Sequence, residues 1–203
     1  MKKKELEIIL QKVPSFINPI PDLEQYLTPA NIAADIIFLA HQFGDIENKI
    51  VIDLGCGTGI FSFGAYITGA KKVIGIDIDK YCIGIAKDYA KRNNYEISFL
   101  VNDVKNVEEN CDTILMNPPF GAQKSNLNID RIFINKGFEI SSVFYSLHLT
   151  KTLSFIEKLI EKKGGDITFL KKYDFPIRWS FDFHKKKVVN YDISLLRIRI
   201  IND

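Results

Sequence analysis

Five short, nearly unbroken apolar runs punctuate the chain, at residues 50–54, 72–77, 97–101, 112–116 and 142–147. Runs of this length suit strands buried on both faces, where period-2 alternation is lost. Between them, stretches near 59–69, 79–93, 129–138 and 150–163 carry helical periodicity. Strand and helix in alternation predict an α/β fold around a largely parallel sheet. Gly164-Gly165 breaks the pattern, after which Ile167 to Leu170 and Ile193 to Ile200 read as two strands joined by a long connection. Upstream, Ile32, Ile36, Ile37, Leu39 and Ala40 predict a helix packed on the core. Thr28 is its expected cap and Pro29 its first residue. With 203 residues and no repeat or linker, one domain is expected: residues 1–45 as an N-terminal helical segment and 46–203 as the core.

The ends of the predicted strands collect the candidate chemistry. The first runs into Asp53-Leu54-Gly55-Cys56-Gly57-Thr58-Gly59, a glycine turn opening a helix. Glycines there let a ligand approach the backbone, and the helix start offers N–H donors. Ile60 stands where a dinucleotide fingerprint has its third glycine, and Asp53 would repel a pyrophosphate yet attract an ammonium. Both details favour an amino-acid-bearing nucleoside. Asp77 ends the second strand, 18 residues after Gly59, where an acid holds ribose hydroxyls. Beside it, Ile78 can cover one face of an adenine. After the third strand, Asp103 can accept from an adenine amine while the Val104 N–H donates to the ring. Each acid taken alone is also a loop residue or a helix cap, the reading kept for Asp79 and Asp88.

The fourth strand ends in Asn117-Pro118-Pro119-Phe120. Two prolines fix the exit of the backbone and so the direction of the Asn117 amide. Its oxygen and a neighbouring carbonyl are two acceptors, a match for an amino group with two hydrogens, and Phe120 adds a flat face for stacking. Taken together these residues suit a nucleobase amine or a side-chain amide.

Charge is unevenly spread. The chain carries a net +2, but from Lys162 onward ten Lys/Arg face five Asp/Glu, leaving −3 for the rest. There Lys171, Lys172, Arg178, Lys185, Lys186 and Lys187 alternate with Tyr173, Phe175, Trp179, Phe181 and Phe183, next to His184. Cations interleaved with aromatics suit single-stranded or flipped nucleic acid. A solvated loop whose aromatics belong to the core would read the same way. His148 and His184 are expected to be structural. Three oddly spaced cysteines, Cys56, Cys82 and Cys111, suggest free thiols in a reducing compartment and no metal. No signal peptide or membrane span is expected, and a cytoplasmic location follows.

The glycine turn with Asp53, then Asp77, Asp103 and Asn117 to Phe120, resembles the successive motifs of a class I S-adenosyl-L-methionine-dependent methyltransferase acting on nitrogen. Leu23 to Pro29, Phe120-Gly121-Ala122-Gln123, Tyr145-Ser146-Leu147-His148 and Phe183 to Lys187 narrow the likeness. They resemble the methyltransferase-like protein 5 family, which methylates adenine N6 in small-subunit rRNA. The resemblance implies a Rossmann-like, mostly parallel seven-stranded sheet with an antiparallel last strand and helices on both faces. It implies S-adenosyl-L-methionine as cofactor, held by Gln25, Tyr26, Thr28, Asp53, Gly55, Gly57, Gly59, Asp77, Ile78, Asp103, Val104 and Asn117, with the 1–45 segment closing over its methionine part. It implies Asn117, Pro118, Pro119 and Phe120 as the catalytic set, and RNA as substrate. It also implies a small zinc-containing methyltransferase activator bound at a sheet edge, for which Val73, Ile74 and the strand from Ile97 to Leu100 are the expected positions. Protein glutamine methylation, DNA adenine methylation and an inactive RNA-binding subunit are the rival readings. Phe120 stands where glutamine methylases carry Tyr, and the chain leaves no room for a DNA target-recognition domain.

Overall fold

A computed structural model describes residues 1–120, 129–179 and 187–201. Seven strands form one sheet in the order β3-β2-β1-β4-β5-β7-β6: β1 (Ile50–Leu54), β2 (Lys72–Asp77), β3 (Ser98–Val101), β4 (Thr113–Met116), β5 (Val143–Leu149), β6 (Gly165–Trp179) and β7 (Lys187–Ile200). The first five pair in parallel, and β7 runs antiparallel to both β5 and β6. The Rossmann-like architecture expected from the sequence is borne out.

Period-2 alternation assigns each strand residue to a layer. Val51, Val73, Phe99 and Leu115 join the core beneath α1 (Lys3–Leu10), α2 (Ala30–Gln42), α3 (Ile60–Ile67) and α4 (Lys80–Asn93). Ile52, Ile74, Ile114 and Phe144 face α5 (Ile129–Ile140) and α6 (Leu153–Lys162). With both faces covered, the central strands lose alternation, which is why they read as solid apolar runs. None of the described helices is long and apolar enough to cross a membrane.

Four expectations are corrected. The long connection after Leu170 is strand: β6 and β7 stay paired to Trp179↔Lys187, so Lys171, Lys172, Arg178, Trp179 and Lys187 lie on a hairpin that outruns β5. Lys171 is half-buried and already paired with Asp35, which also accepts from Lys3 and the Tyr173 hydroxyl. Val73 and Ile74 are buried in β2, an inner strand; the edge on that side is β3 alone, where Leu100 and Val101 are exposed. Finally, α2 starts at Ala30 with Pro29 in extended geometry at its cap position, and the Thr28 hydroxyl makes no cap bond.

Candidate active site

The carboxyl ends of the parallel strands meet around one cavity, as open α/β sheets require. It holds about 190 Å³ of interior room, against the ~10–15 Å³ one water needs, so it is sized for a ligand. Its floor is the turn after β1. Gly55, Gly57 and Gly59 adopt φ of 73°, 53° and 94°, a region closed to most side chains. Gly55 and Cys56 donate to the Ile76 carbonyl, which ties the turn to β2, and Gly57 donates to Asp77 Oδ2 at 2.7 Å. Asp77 Oδ1 also accepts from the Asp79 N–H, so this carboxylate braces two backbone segments while lining the cavity. Burial raises its pKa against the pull of those bonds.

Around the rim stand Ile78, 56% exposed, then Asp103, Val104 and Lys105. Asp103 caps a short 3-10 turn by accepting from the Lys105 N–H. Asp53 and Gly59 do not line the cavity. Asp53 points beneath the turn, accepting from the Ser62 N–H at 2.8 Å and hydroxyl at 2.6 Å, and thereby anchors the start of α3. Its burial pushes the carboxyl to about 7, with Asp77 nearby adding to the rise and the Ser62 bonds opposing it. The Cys56 thiol, buried at the cavity wall, is pushed well above its usual value.

The opposite wall is residues 23–28, laid across the strand ends. Gln25 fastens it: its Oε1 accepts from the Ile20 N–H at 2.8 Å, and its Nε2 donates to Asp79 Oδ2 at 2.7 Å. Asp79 is thus both this anchor and the cap of α4, accepting from Tyr81. Burial acts to raise its pKa, but the bonds from Gln25, Cys82 and Tyr81 outweigh it and hold the carboxyl below its usual value.

At the junction of this wall with β4 lies the Asn117 turn. Asn117 Nδ2 donates to Thr28 Oγ1 at 3.1 Å, while its buried Oδ1 has no partner. A buried unpaired acceptor costs ~1–3 kcal/mol, so a fixed amide kept in that state is a ligand contact in waiting. Pro119 lines the cavity; Pro118 is buried behind it and Phe120 stands to the side. The Phe120 ring stacks on Tyr26 (centroids 5.2 Å apart, planes 26° apart) and meets the edge of Phe175 from β6 at 6.3 Å. Tyr26 also contacts Phe175 at 5.9 Å.

Sequence reasoning missed Glu24, Thr58 and Phe16. Glu24 is buried at φ 48° and its Oε2 accepts from the Phe120 N–H at 2.7 Å, joining residues 96 apart. Thr58 Oγ1 is a further buried, unpartnered atom on the cavity wall. Phe16 lies over Gly57, where an added Cβ would come within 2.9 Å of its ring. Its place beside glycine turn and wall was the signal available for Thr58 and Glu24; Phe16 had none. Of the nucleic-acid set, Lys172 is exposed; Arg178, Trp179 and Lys187 are placed as strand positions, and Phe183, His184, Lys185 and Lys186 lie outside the described residues, as do Gly121 to Gln123. His148 is buried on β5, bonded to Ser146 Oγ at 2.7 Å.

The profile of the methyltransferase small domain matches residues 33–140, just over half of the chain. An uncharacterized protein of Methanocaldococcus jannaschii, MJ0284, is 42% identical over 98% of this chain and 94% of its own. The rRNA N(6)-adenosine-methyltransferase METTL5 of Danio rerio is 37% identical over 97% of this chain and 98% of its own. The crystal structure of a putative RNA methyltransferase, PH1948 from Pyrococcus horikoshii, superposes with a TM-score of 0.89 at 37% identity, covering 99% of each chain. The family-model match, a shared fold and sequence identity spread over nearly the whole length lead to one assignment: this chain belongs to the methyltransferase small domain family, and within it to the METTL5 family.

Proposed function

We propose that the protein transfers a methyl group from S-adenosyl-L-methionine to the N6 amino group of an adenine in ribosomal RNA. The observation that carries this reading is the Asn117 amide, its nitrogen tied to Thr28 and its oxygen buried and unpartnered in the cavity. The named activity of the full-length fish relative supports the substrate.

The residues present fit the cofactor. The glycine turn leaves a backbone cradle, Asp77 presents a carboxylate to ribose, Ile78 gives an apolar cover, Asp103 and Val104 stand where an adenine edge would lie, and Thr58 offers an unpaired hydroxyl. Gln25 and Thr28 close the remaining side. When bound, the cofactor supplies a sulfonium-activated methyl carbon. The protein's own task is to place the acceptor nitrogen in line and make it nucleophilic. Asn117 Oδ1 accepts from the amino group, which favours pyramidal nitrogen and stabilises the positive charge developing there. The proton leaves after transfer, when the methylated nitrogen is acidic, so no side-chain base is required. Arg178, Trp179 and Lys187, at the far end of the β6–β7 hairpin, supply the positions for RNA contact, with Lys172 along the strand. The exposed β3 edge, with Leu100 and Val101, is the place where a small activator would add a strand. The protein works as one methyltransferase unit in the cytoplasm.

The test is transfer from labelled S-adenosyl-L-methionine to total RNA by wild type and Asn117→Ala, with products resolved as nucleosides. N6-methyladenosine is expected with wild type alone, the variant falling by ~10²–10³ in turnover while cofactor affinity stays within a few-fold. Cofactor binding without any RNA label by wild type would overturn the reading.

A further inference from the structure

Three side chains lining the cavity carry buried polar atoms without a partner: Thr58 Oγ1, Asn117 Oδ1 and the Tyr26 hydroxyl. Native interiors pair nearly all such atoms, so each of these three around one cavity demands an explanation. Asn117 and Thr58 have the roles given above; Tyr26 has none. The ring of Tyr26 is turned toward the acceptor motif, stacked on Phe120 and edged by Phe175, and so belongs to the aromatic cluster of the Asn117 turn. Phe175 is wholly buried and comes from the hairpin, which locks Tyr26 from behind. The wall carrying Tyr26 is fastened on both sides, by Gln25 to Asp79 and by Glu24 to the Phe120 N–H. A hydroxyl held so firmly, yet bonded to nothing, is preorganised for something that arrives.

Resting on the RNA reading, we infer that the Tyr26 hydroxyl donates a hydrogen bond to the ring nitrogen beside the target amino group, making Tyr26 a second contact to the acceptor base rather than a cofactor ligand. The chemistry is complementary. Asn117 Oδ1 is an acceptor, and the Tyr26 hydroxyl is a donor at any working pH, because burial, with Glu24 and Tyr191 nearby, pushes the phenol well above its usual value. An acceptor and a donor together match an edge with an amino hydrogen and a bare ring nitrogen, which adenine has. The corresponding edge of guanine or inosine carries a carbonyl and an N–H, the reverse pattern, and leaves both protein groups unsatisfied. A site built to bond a polar edge rejects partners lacking it through those unpaired groups.

Tyr26→Phe tests this, since it deletes the hydroxyl and keeps the ring on Phe120. Three readouts on the full chain are compared with wild type: kcat/KM for total RNA, calorimetric affinity for S-adenosyl-L-methionine, and the thermal midpoint. The expected pattern is kcat/KM lower by about tenfold, cofactor affinity within twofold, and a midpoint equal or higher, because an orphan hydroxyl contributes nothing to the free protein. A merely structural hydroxyl would lower the midpoint instead. Wild-type kcat/KM in the variant, or a loss confined to cofactor affinity, would overturn the assignment. If wild type itself made no N6-methyladenosine, the RNA reading would fall first, a result separate from an active wild type matched by an equally active variant.

Discussion

Phe175 ties the C-terminal hairpin to the chemistry, and Phe175→Leu isolates that tie. The side chain is fully buried in β6 and meets two rings edge-on, Tyr26 at 5.9 Å with planes 80° apart and Phe120 at 6.3 Å with planes 87° apart. Leucine keeps most of the buried area and removes both ring contacts. Each aromatic pair contributes ~0.5–1.5 kcal/mol beyond its area, so the substitution should cost about 1–3 kcal/mol. For a chain of 203 residues, that is a fall in the thermal midpoint of ~2–12 °C, read by calorimetry. A cycle with Phe120→Leu should return a coupling of ~0.5–1.5 kcal/mol. Functionally, the loss should appear in RNA methylation, with KM for RNA raised, and leave cofactor affinity near wild type, because Phe175 touches the acceptor motif and not the glycine turn. Additivity of the two substitutions within ~0.5 kcal/mol would refute the ring coupling. A parallel loss of cofactor affinity would refute the division of the cavity into a cofactor side and an acceptor side.

Gln25→Ala and Asp79→Ala should be coupled by ~1.5–3 kcal/mol in urea unfolding, the worth of a hydrogen bond to a charged group; the lost α4 cap cancels in the cycle, and simple additivity would mean the Gln25 anchor carries no energy. Asp53 and His148 should impose opposite pH slopes on stability. With its carboxyl at about 7, folded Asp53 holds a proton that the unfolded chain loses near pH 4, so stability falls as pH rises from ~4 through ~7, by up to about 4 kcal/mol. Burial lowers His148 to about 4, so its contribution is intact above ~6.5 and is lost as pH falls through ~4. The two slopes largely offset each other, and each becomes visible when the other group is removed. Asp53→Asn should make stability rise with pH across this window and His148→Gln should make it fall; unchanged slopes in both would contradict the assigned protonation states.

The central strands were legible because burial on both faces erases alternation, leaving runs such as Ile50 to Leu54 that admit few other readings. The glycine turn and the Asn117 turn were legible because unusual backbone shapes demand unusual residues. The hairpin was not. Alternating charged and aromatic residues from Lys171 to Trp179 describe a strand with dissimilar faces as well as they describe a nucleic-acid loop, and pairing with a segment not yet reached decides between them. Lys171 looked available because Asp35 lies 136 positions away. Thr28 looked like a cap because its neighbour is proline, yet an amide 89 residues on claims its hydroxyl. In each case the competing partner is distant in the chain, where local chemistry gives no sign of it.

The strand order sets a timetable. β5 and β6 are complete before β7 exists, and neither pairs with the other; both wait for the last strand to enter between them. As the chain leaves the ribosome, the parallel half with its glycine turn and Asn117 turn can assemble first, while β5 keeps a bare hydrogen-bonding edge. Arg197 of β7 then reaches Asp45 and the Tyr145 hydroxyl, closing the inner network in the same step that brings Phe175 behind Phe120. A nascent chain can therefore form the cavity around its glycine turn before the aromatic cluster behind the Asn117 turn is complete, and a stall late in synthesis leaves an adhesive strand edge on β5.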